Sequence, residues 1–287
     1  MSQNIIATEH VAPRTITIVA ALSCEVKPIV DALRLVKQLD RPYKVFGGEF
    51  ESQRVEVLVS GIGALAMATA IGWMAGRQPT SERVWLNLGS AGHGSASLGS
   101  AFRVHASSDI LSERKYYPAM VAKSVLATDE ILSVNAPSSD YPDLGGIDME
   151  AYAFFTAAYR FSSTELVESI KVVSDNPNND ISELNAAKIS ELIAAHSEVI
   201  LNLGIALVAL LPIKEEQVIL EIPELHLTHS QRRQAKVLIT KLSTLEAIDD
   251  ALNLAVSDVS SGAELLSILG TALLNIEPRL DMVENLN

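Results

Sequence analysis

VSGIGALAMATAIGWMAG, residues 59–76, changes character twice along its length. Val59 closes the β-branched run Val55–Val59, and Ser60-Gly61-Ile62-Gly63 reads as a glycine turn. From Ala64 the small side chains suit a helix packed closely on a sheet. A strand, a glycine turn and a helix in that order can present backbone N–H groups to a phosphate or a sugar.

Working outward, the same alternation recurs on both sides. Upstream, TITIVAAL (Thr15–Leu22) is a short apolar run that ends at the polar Ser23-Cys24-Glu25, and residues 43–46 and 55–59 read as two arms of a hairpin. Downstream, VWLNL (Val84–Leu88) is a buried strand that runs into Gly89-Ser90-Ala91-Gly92-His93-Gly94, where glycines let the backbone approach a ligand. Asp148-Met149-Glu150-Ala151 opens a small-residue and aromatic helix, Ile170–Val173 is a strand ending at Ser174-Asp175, and residues 181–211 form a long helical region. Strands alternating with helices predict an α/β sandwich whose ligand lies outside the carboxyl ends of the strands.

From Lys214 the composition shifts, with no Phe, Trp or Tyr and only Gly262 and Gly270 as glycines. Helices are expected over Thr228–Leu242, with Thr228 as N-cap and Val237, Leu238 and Leu242 on one side, and then over Thr244–Val256 and Ala263–Ile276. The expected division is therefore 15–213 for the α/β domain and 214–287 for a mostly helical extension.

The chain has 287 residues with 48% hydrophobic and 20% charged side chains, which excludes a disordered protein and permits a sizeable core. A formal charge of -13 makes nucleic acid an unfavourable partner. One cysteine, Cys24, fits a reducing compartment, and Met1–Arg14 lacks the long apolar core of a signal peptide, so a cytoplasmic location is expected. The greasiest stretch, Val199–Ile213, is shorter than a bilayer requires and holds Asn202 and Gly204, so no membrane association is expected.

Taken in order, AALSCEV (20–26), FGGEF with VLVSGIGALAMATA (57–70), LNLGSAG (86–92), IDMEA (147–151) and VVSDNPNND (172–180) resemble the purine nucleoside phosphorylase and nucleosidase superfamily. The resemblance is nearest to its methylthioadenosine/S-adenosylhomocysteine nucleosidases and futalosine hydrolases. It implies a three-layer α/β/α sandwich with a central mixed sheet, hydrolysis of a purine nucleoside to free base and sugar, no cofactor or metal, and a homodimer. Breaking an N-glycosidic bond requires that the departing base be protonated and that water be guided to the sugar. By resemblance Asp175 is the acid that protonates the base and Glu25 the carboxylate that orients and deprotonates water. Glu150 takes the ribose hydroxyls, Met149 packs on the sugar, and Ser90, Ala91 and Gly92 line the sugar and water side. Ser174 and Leu132 complete the substrate contacts, Leu132 through its backbone, with Ile131 where an aromatic often stacks on the base. Lys171 stands where the hydrolases commonly carry arginine.

The residues themselves also admit plainer roles: Ser174 and Asp175 as caps of the following turn, Glu25 as a solvated carboxylate at a helix start, Met149 as core filling. Three further functions stay open at this point. Arg103, Arg114 and Lys115 could hold phosphate for a phosphorylase, although SGIGALA and NLGSAGHG carry no arginine. A nucleoside-binding protein with weak turnover is compatible with Lys171, Ile131 and a short stretch from Phe102 to Ser124. A partner docked on Arg232, Arg233 and Lys236 of the tail is the third.

Overall fold

The computed structural model describes residues 14–77, 83–211, 225–244 and 250–275. They form two compact units, residues 14–211 and residues 225–275, and the expected boundary at 213/214 lies outside the described residues.

In chain order the first unit contains β1 (Thr15–Ala20), α1 (Ser23–Ala32), β2 (Val36–Leu39), β3 (Lys44–Phe50), β4 (Gln53–Val59), α2 (Ala64–Arg77), β5 (Arg83–His93), β6 (Ala101–Asp109), β7 (Ser112–Tyr116), β8 (Ala127–Ser133), β9 (Gly146–Asp148), α3 (Ala151–Ala158), β10 (Val167–Asp175), α4 (Ala186–Ala194) and α5 (Ser197–Val208). All ten strands join one mixed sheet. β1 is parallel to both β4 and β5, and the expected hairpin appears as the antiparallel pair β3–β4. Beyond β5 the sheet closes on itself: β5 pairs β10, β10 pairs β6, β6 pairs β8, β8 pairs β9, and β9 returns to β5 at Gly92 and His93.

Side-chain alternation along the strands sorts the core into two faces. Ile16, Ile18 and Ala20 of β1 join Val84, Leu86 and Leu88 of β5 against Val26 and Ile29 of α1, Ile193 of α4 and Leu203 and Leu207 of α5. On the opposite face Val19, Leu58 and Trp85 meet Met67, Ala70, Ile71 and Met74 of α2 and Phe154, Phe155 and Ala158 of α3. This is a three-layer α/β/α sandwich. Close approach of helix to sheet needs glycine at one point: a side chain on Gly204 would begin 3.0 Å from Cγ2 of Ile16.

Two expectations are revised. The strand expected over Val84–Leu88 runs on to His93, because Gly89–Gly92 keep their ladder with β10. The stretch 181–211 is a short 3-10 turn followed by α4 and α5, which meet at a 61° bend. His196 stands at that bend, its Nε2 2.7 Å from the carbonyl oxygen of Gly99. Among the described residues no single helix is long and apolar enough to cross a membrane.

The second unit consists of α6 (His229–Thr244), α7 (Asp250–Ser257) and α8 (Gly262–Leu274). Thr228 caps α6 as expected: its Oγ1 accepts from Gln231 N at 3.2 Å, and Gln231 Oε1 accepts from Thr228 N at 3.0 Å. The buried side of α6 carries Ala235, Ile239 and Leu242, with Leu238 partly buried against the same cluster. Val237 is 49% exposed and off that face, since a 3.6-residue period from Leu242 favours 235, 238 and 239 over 237.

Candidate active site

A pocket opens where β1, β5, β9 and β10 end. Glu25, Ser90, Ala91, Gly92, Met149, Glu150, Ser174 and Asp175, drawn from distant parts of the chain, all line it.

Glu25 stands in the first turn of α1 yet is only 3% exposed, so it is not a solvated carboxylate at a helix start. Its Oε2 accepts from Leu22 N at 2.9 Å, and its Oε1 accepts from both Ser90 N and Ser90 Oγ at 2.9 Å. The glycine turn read from the sequence lies opposite: Gly61 and Gly63 have φ of 88° and 94°, a conformation side chains disfavour. Gly63 N donates to Glu150 Oε1 at 2.7 Å, so this turn orients the carboxylate at the start of α3. Burial pushes the Glu150 carboxyl up to about 7, with Asp148 and Glu25 adding to the rise while Lys171 and the Gly63 N–H oppose it.

Asp175 is held from two sides. Tyr141 OH donates to Oδ2 at 2.8 Å and Ser174 Oγ to Oδ1 at 2.6 Å. A Cβ on Gly92 would lie 2.6 Å from Asp175 Oδ2 and 2.7 Å from Tyr141 Cε1, so only glycine fits beneath this carboxylate. The following turn has its own organiser, Asn176, whose Oδ1 accepts from Asn178 N at 3.0 Å and from Asn179 Nδ2 at 2.9 Å. Asp175 is therefore not the cap of that turn.

Two expected contacts fall elsewhere. Leu132, expected to contact the base through its backbone, does not line the pocket, and Val134, Pro137 and Ser138 of the segment after β8 supply that wall. Ile131 itself is a core residue. Lys171 is fully buried behind the pocket and pairs with Asp148, Nζ to Oδ2 at 2.7 Å. Asp148, read only as a helix start, also accepts from Ala151 N at 2.8 Å and Ser133 Oγ at 2.6 Å.

Sequence reasoning missed Tyr141 and His93. Tyr141 sits in SSDYPDL (138–144), which has no periodicity to mark it. The Nδ1 of His93 accepts from Ser95 N at 3.1 Å and Ala96 N at 3.0 Å, which leaves the proton on Nε2, facing Asp129 Oδ2 at 3.1 Å. Ala96 in turn receives Asn176 Nδ2 on its carbonyl oxygen at 2.9 Å, so this loop braces the end of β10.

No protein-family model matches the chain, and no curated protein matches it significantly. Solved structures do match. The 5'-methylthioadenosine/S-adenosylhomocysteine nucleosidase of Neisseria meningitidis, in complex with methylthio-immucillin-A, superposes with a TM-score of 0.54 at 17% identity, over 68% of this chain and 98% of that one. Futalosine hydrolase of Helicobacter pylori gives 0.53 at 13% identity, over 67% and 97%. The nucleosidase of Helicobacter pylori with butyl-thio-DADMe-Immucillin-A gives 0.53 at 12%, over 67% and 97%. The fold is that of these nucleosidases. At such identities the likeness is one of fold, and any nucleosidase chemistry must be argued from the side chains in the pocket.

Proposed function

We propose that the protein hydrolyses the N-glycosidic bond of a purine nucleoside, methylthioadenosine/adenosylhomocysteine-like or futalosine-like, to free base and sugar. The observation that carries this reading is the convergence of Glu25, Glu150 and Asp175 on one pocket at the strand ends. Glu25 already accepts three hydrogen bonds from Leu22 and Ser90, and a carboxylate has about four acceptor positions, so one remains for a water. That water attacks the anomeric carbon as the bond to the base breaks, Glu25 takes its proton, and Asp175 in its acid form gives a proton to the base. To carry that proton, one of the two hydroxyls now donating to Asp175 turns to accept, which tyrosine and serine hydroxyls can do. Glu150, with Oε1 held by Gly63, uses Oε2 for the ribose hydroxyls.

Hydrolysis is favoured over phosphorolysis by where the cations lie. Arg103 is consumed by Glu168, with contacts of 2.7 and 2.5 Å, Lys115 is 3.1 Å from Glu130, and Arg114 is on the exposed strand β7. None of them lines the pocket, and the acids that do would repel phosphate. The reading includes a homodimer, supported by Ile62 on the pocket rim at 58% exposure and Leu65 nearby at 79%. It also includes a cytoplasmic setting, supported by the lone Cys24.

The test is incubation of purified protein with methylthioadenosine, adenosylhomocysteine, futalosine, inosine and adenosine, with and without phosphate. Base release from at least one, independent of phosphate, is expected. Phosphate-dependent release makes the protein a phosphorylase, and tight binding without release makes it a nucleoside-binding protein. A monomer by light scattering refutes the dimer.

A further inference from the structure

Lys171 was expected at the substrate, and the structure puts it out of reach. It is 1% exposed on β10, opposite Gly89 of β5 and Phe102 of β6. A Cβ at Gly89 would lie 3.1 Å from Lys171 Nζ and 3.4 Å from Glu25 Oε1, so the missing side chain leaves the space through which the ammonium passes. The charged groups facing it come from three elements: Asp148 at the end of β9, Glu150 at the start of α3, and Glu25 in α1. Burial alone would depress the ammonium, and these three carboxylates outweigh it and raise it.

We propose that Lys171 is a positioning residue for the pocket's acids: its buried ammonium, seated in the space at Gly89, holds Asp148 directly and Glu25 and Glu150 through charge, without touching the nucleoside. Asp148 spreads the effect, because one of its oxygens takes both Lys171 and Ala151 N while the other takes Ser133 Oγ. The ion pair thus ties β10, β8 and the start of α3 together two residues before Glu150. A neighbouring pair shows the contrast. Arg103 and Glu168, also buried and also involving β10, satisfy each other in two parallel hydrogen bonds and face no pocket acid. Lys171 is one cation shared among several acids, so removing it changes the pocket as well as the fold.

The role in turnover rests on the hydrolase reading, whereas the charge coupling does not. The experiment compares wild type, Lys171→Met, Asp148→Asn and the double variant by kcat, KM and pH profile, together with a 13C-carboxyl NMR titration of Glu150 that needs no substrate. Lys171→Met removes a positive neighbour and is expected to move the Glu150 titration upward from about 7. Asp148→Asn removes a negative neighbour and is expected to move it downward. If Lys171→Met does not fold, the double variant removes both charges together, and substituting both members of a buried pair spares the fold. That variant is expected to fold and to lose roughly tenfold or more in kcat with a smaller change in KM. The proposal is overturned if the double variant keeps the wild-type rate and pH profile, or if the two single variants move Glu150 in the same direction or not at all. If wild type releases no base from any nucleoside, the hydrolase reading fails, and the NMR titration still decides the coupling.

Discussion

The two ends of the central sheet bury charge in opposite ways. Near the amino ends of the strands, Glu56 of β4 lies between Arg83 and Arg54, with Oε2 2.8 Å from Arg83 Nη1 and Oε1 2.7 Å from Arg54 Nη2. Arg83 also donates to Thr17 Oγ1 at 2.6 Å and lies 5.4 Å from the centre of the Trp85 ring. Both oxygens of Glu56 are thus taken by arginine, and of the three charged groups only Arg54 borders a cavity, a polar hollow beside Gly47, Gly48 and Gln53. At the carboxyl ends the ratio is reversed, with Lys171 facing Asp148, Glu150 and Glu25. A buried carboxylate whose two oxygens are both taken by arginine ties strands together, and several acids gathered around one cation at a pocket are kept where a ligand or a reaction uses them.

The comparison breaks most sharply at Asp175. Asp175→Asn is expected to lower base release by about 10² to 10⁴-fold with nucleoside binding largely intact, because the amide can hold a hydrogen bond to the base and cannot transfer a proton. A coupled base-release assay and equilibrium binding measure the two quantities separately. Glu25→Gln should lose activity to a similar degree, with an added cost in α1. Its single carbonyl oxygen can serve Ser90, and its NH₂ would then face the Leu22 N–H, donor against donor. Near wild-type rates in both variants would make these carboxylates architectural.

At the opposite end the expectation is inverted. Glu56→Ala takes the Glu56 carboxylate away from the buried Arg83 and from Arg54 and should cost about 3–5 kcal/mol of stability, read by urea denaturation, with kcat of the folded fraction unchanged. A large fall in kcat would mean that the two ends are coupled.

The halves of the molecule were unequally legible in the sequence. Apolar runs such as Thr15–Ala20 and Val84–Leu88 are buried strands, and short β-branched runs rarely read otherwise. Gly61 and Gly63 announced their turn because a positive φ is required there. Glu25, Glu150 and Asp175 could be singled out because their motifs AALSCEV, IDMEA and VVSDNPNND resemble those of the nucleosidases, and strand ends hold ligands in such folds. What stayed hidden depends on partners distant in sequence. Lys171 looks like any lysine until Gly89 is set opposite it, and Tyr141 lies in an irregular segment whose path no periodicity fixes. Leu132 falls short of the pocket because the wall begins at Val134, beyond the end of β8, where no periodicity marks the path of the chain.

Glu150 sharpens the contrast through pH. Its carboxyl titrates near 7 in the folded protein against an ordinary value of 4.5, so between those values the folded state keeps a proton that the unfolded state has lost. Stability therefore falls as pH rises from about 4.5 to 7, by about 3 kcal/mol in total, and stays at the lower level above that. Glu150→Gln keeps an acceptor for Gly63 N and removes the charge, so it should gain stability over wild type at pH 8 and none at pH 4. Denaturation at the two pH values checks this. In activity the sign is opposite: the ionised form takes the ribose hydroxyls, so the acid limb of the wild-type kcat/KM profile should rise with pH up to about 7. A flat profile would remove Glu150 from sugar binding.

The smallest effect belongs to Tyr141→Phe. Tyr141 touches Asp175 and does not line the pocket, so its hydroxyl acts on the reaction only through that carboxylate. Burial, together with the hydrogen bond to Asp175 and the charge there, pushes its own ionisation up to about 12, so it keeps its proton throughout any working pH range. Losing one such hydrogen bond should cost about 1 kcal/mol of stability and less than roughly tenfold in kcat, with KM unchanged. Ser174 still holds the other oxygen, which is why the loss stays small. Absorbance near 295 nm gives an independent check: in Asp175→Asn the charge is gone while burial remains, so Tyr141 should ionise below 12 and still above the ordinary tyrosine value of 10. A loss in Tyr141→Phe as large as in Asp175→Asn would place the phenol in the path of the proton, and the acid of this pocket would then be the pair and not Asp175 alone.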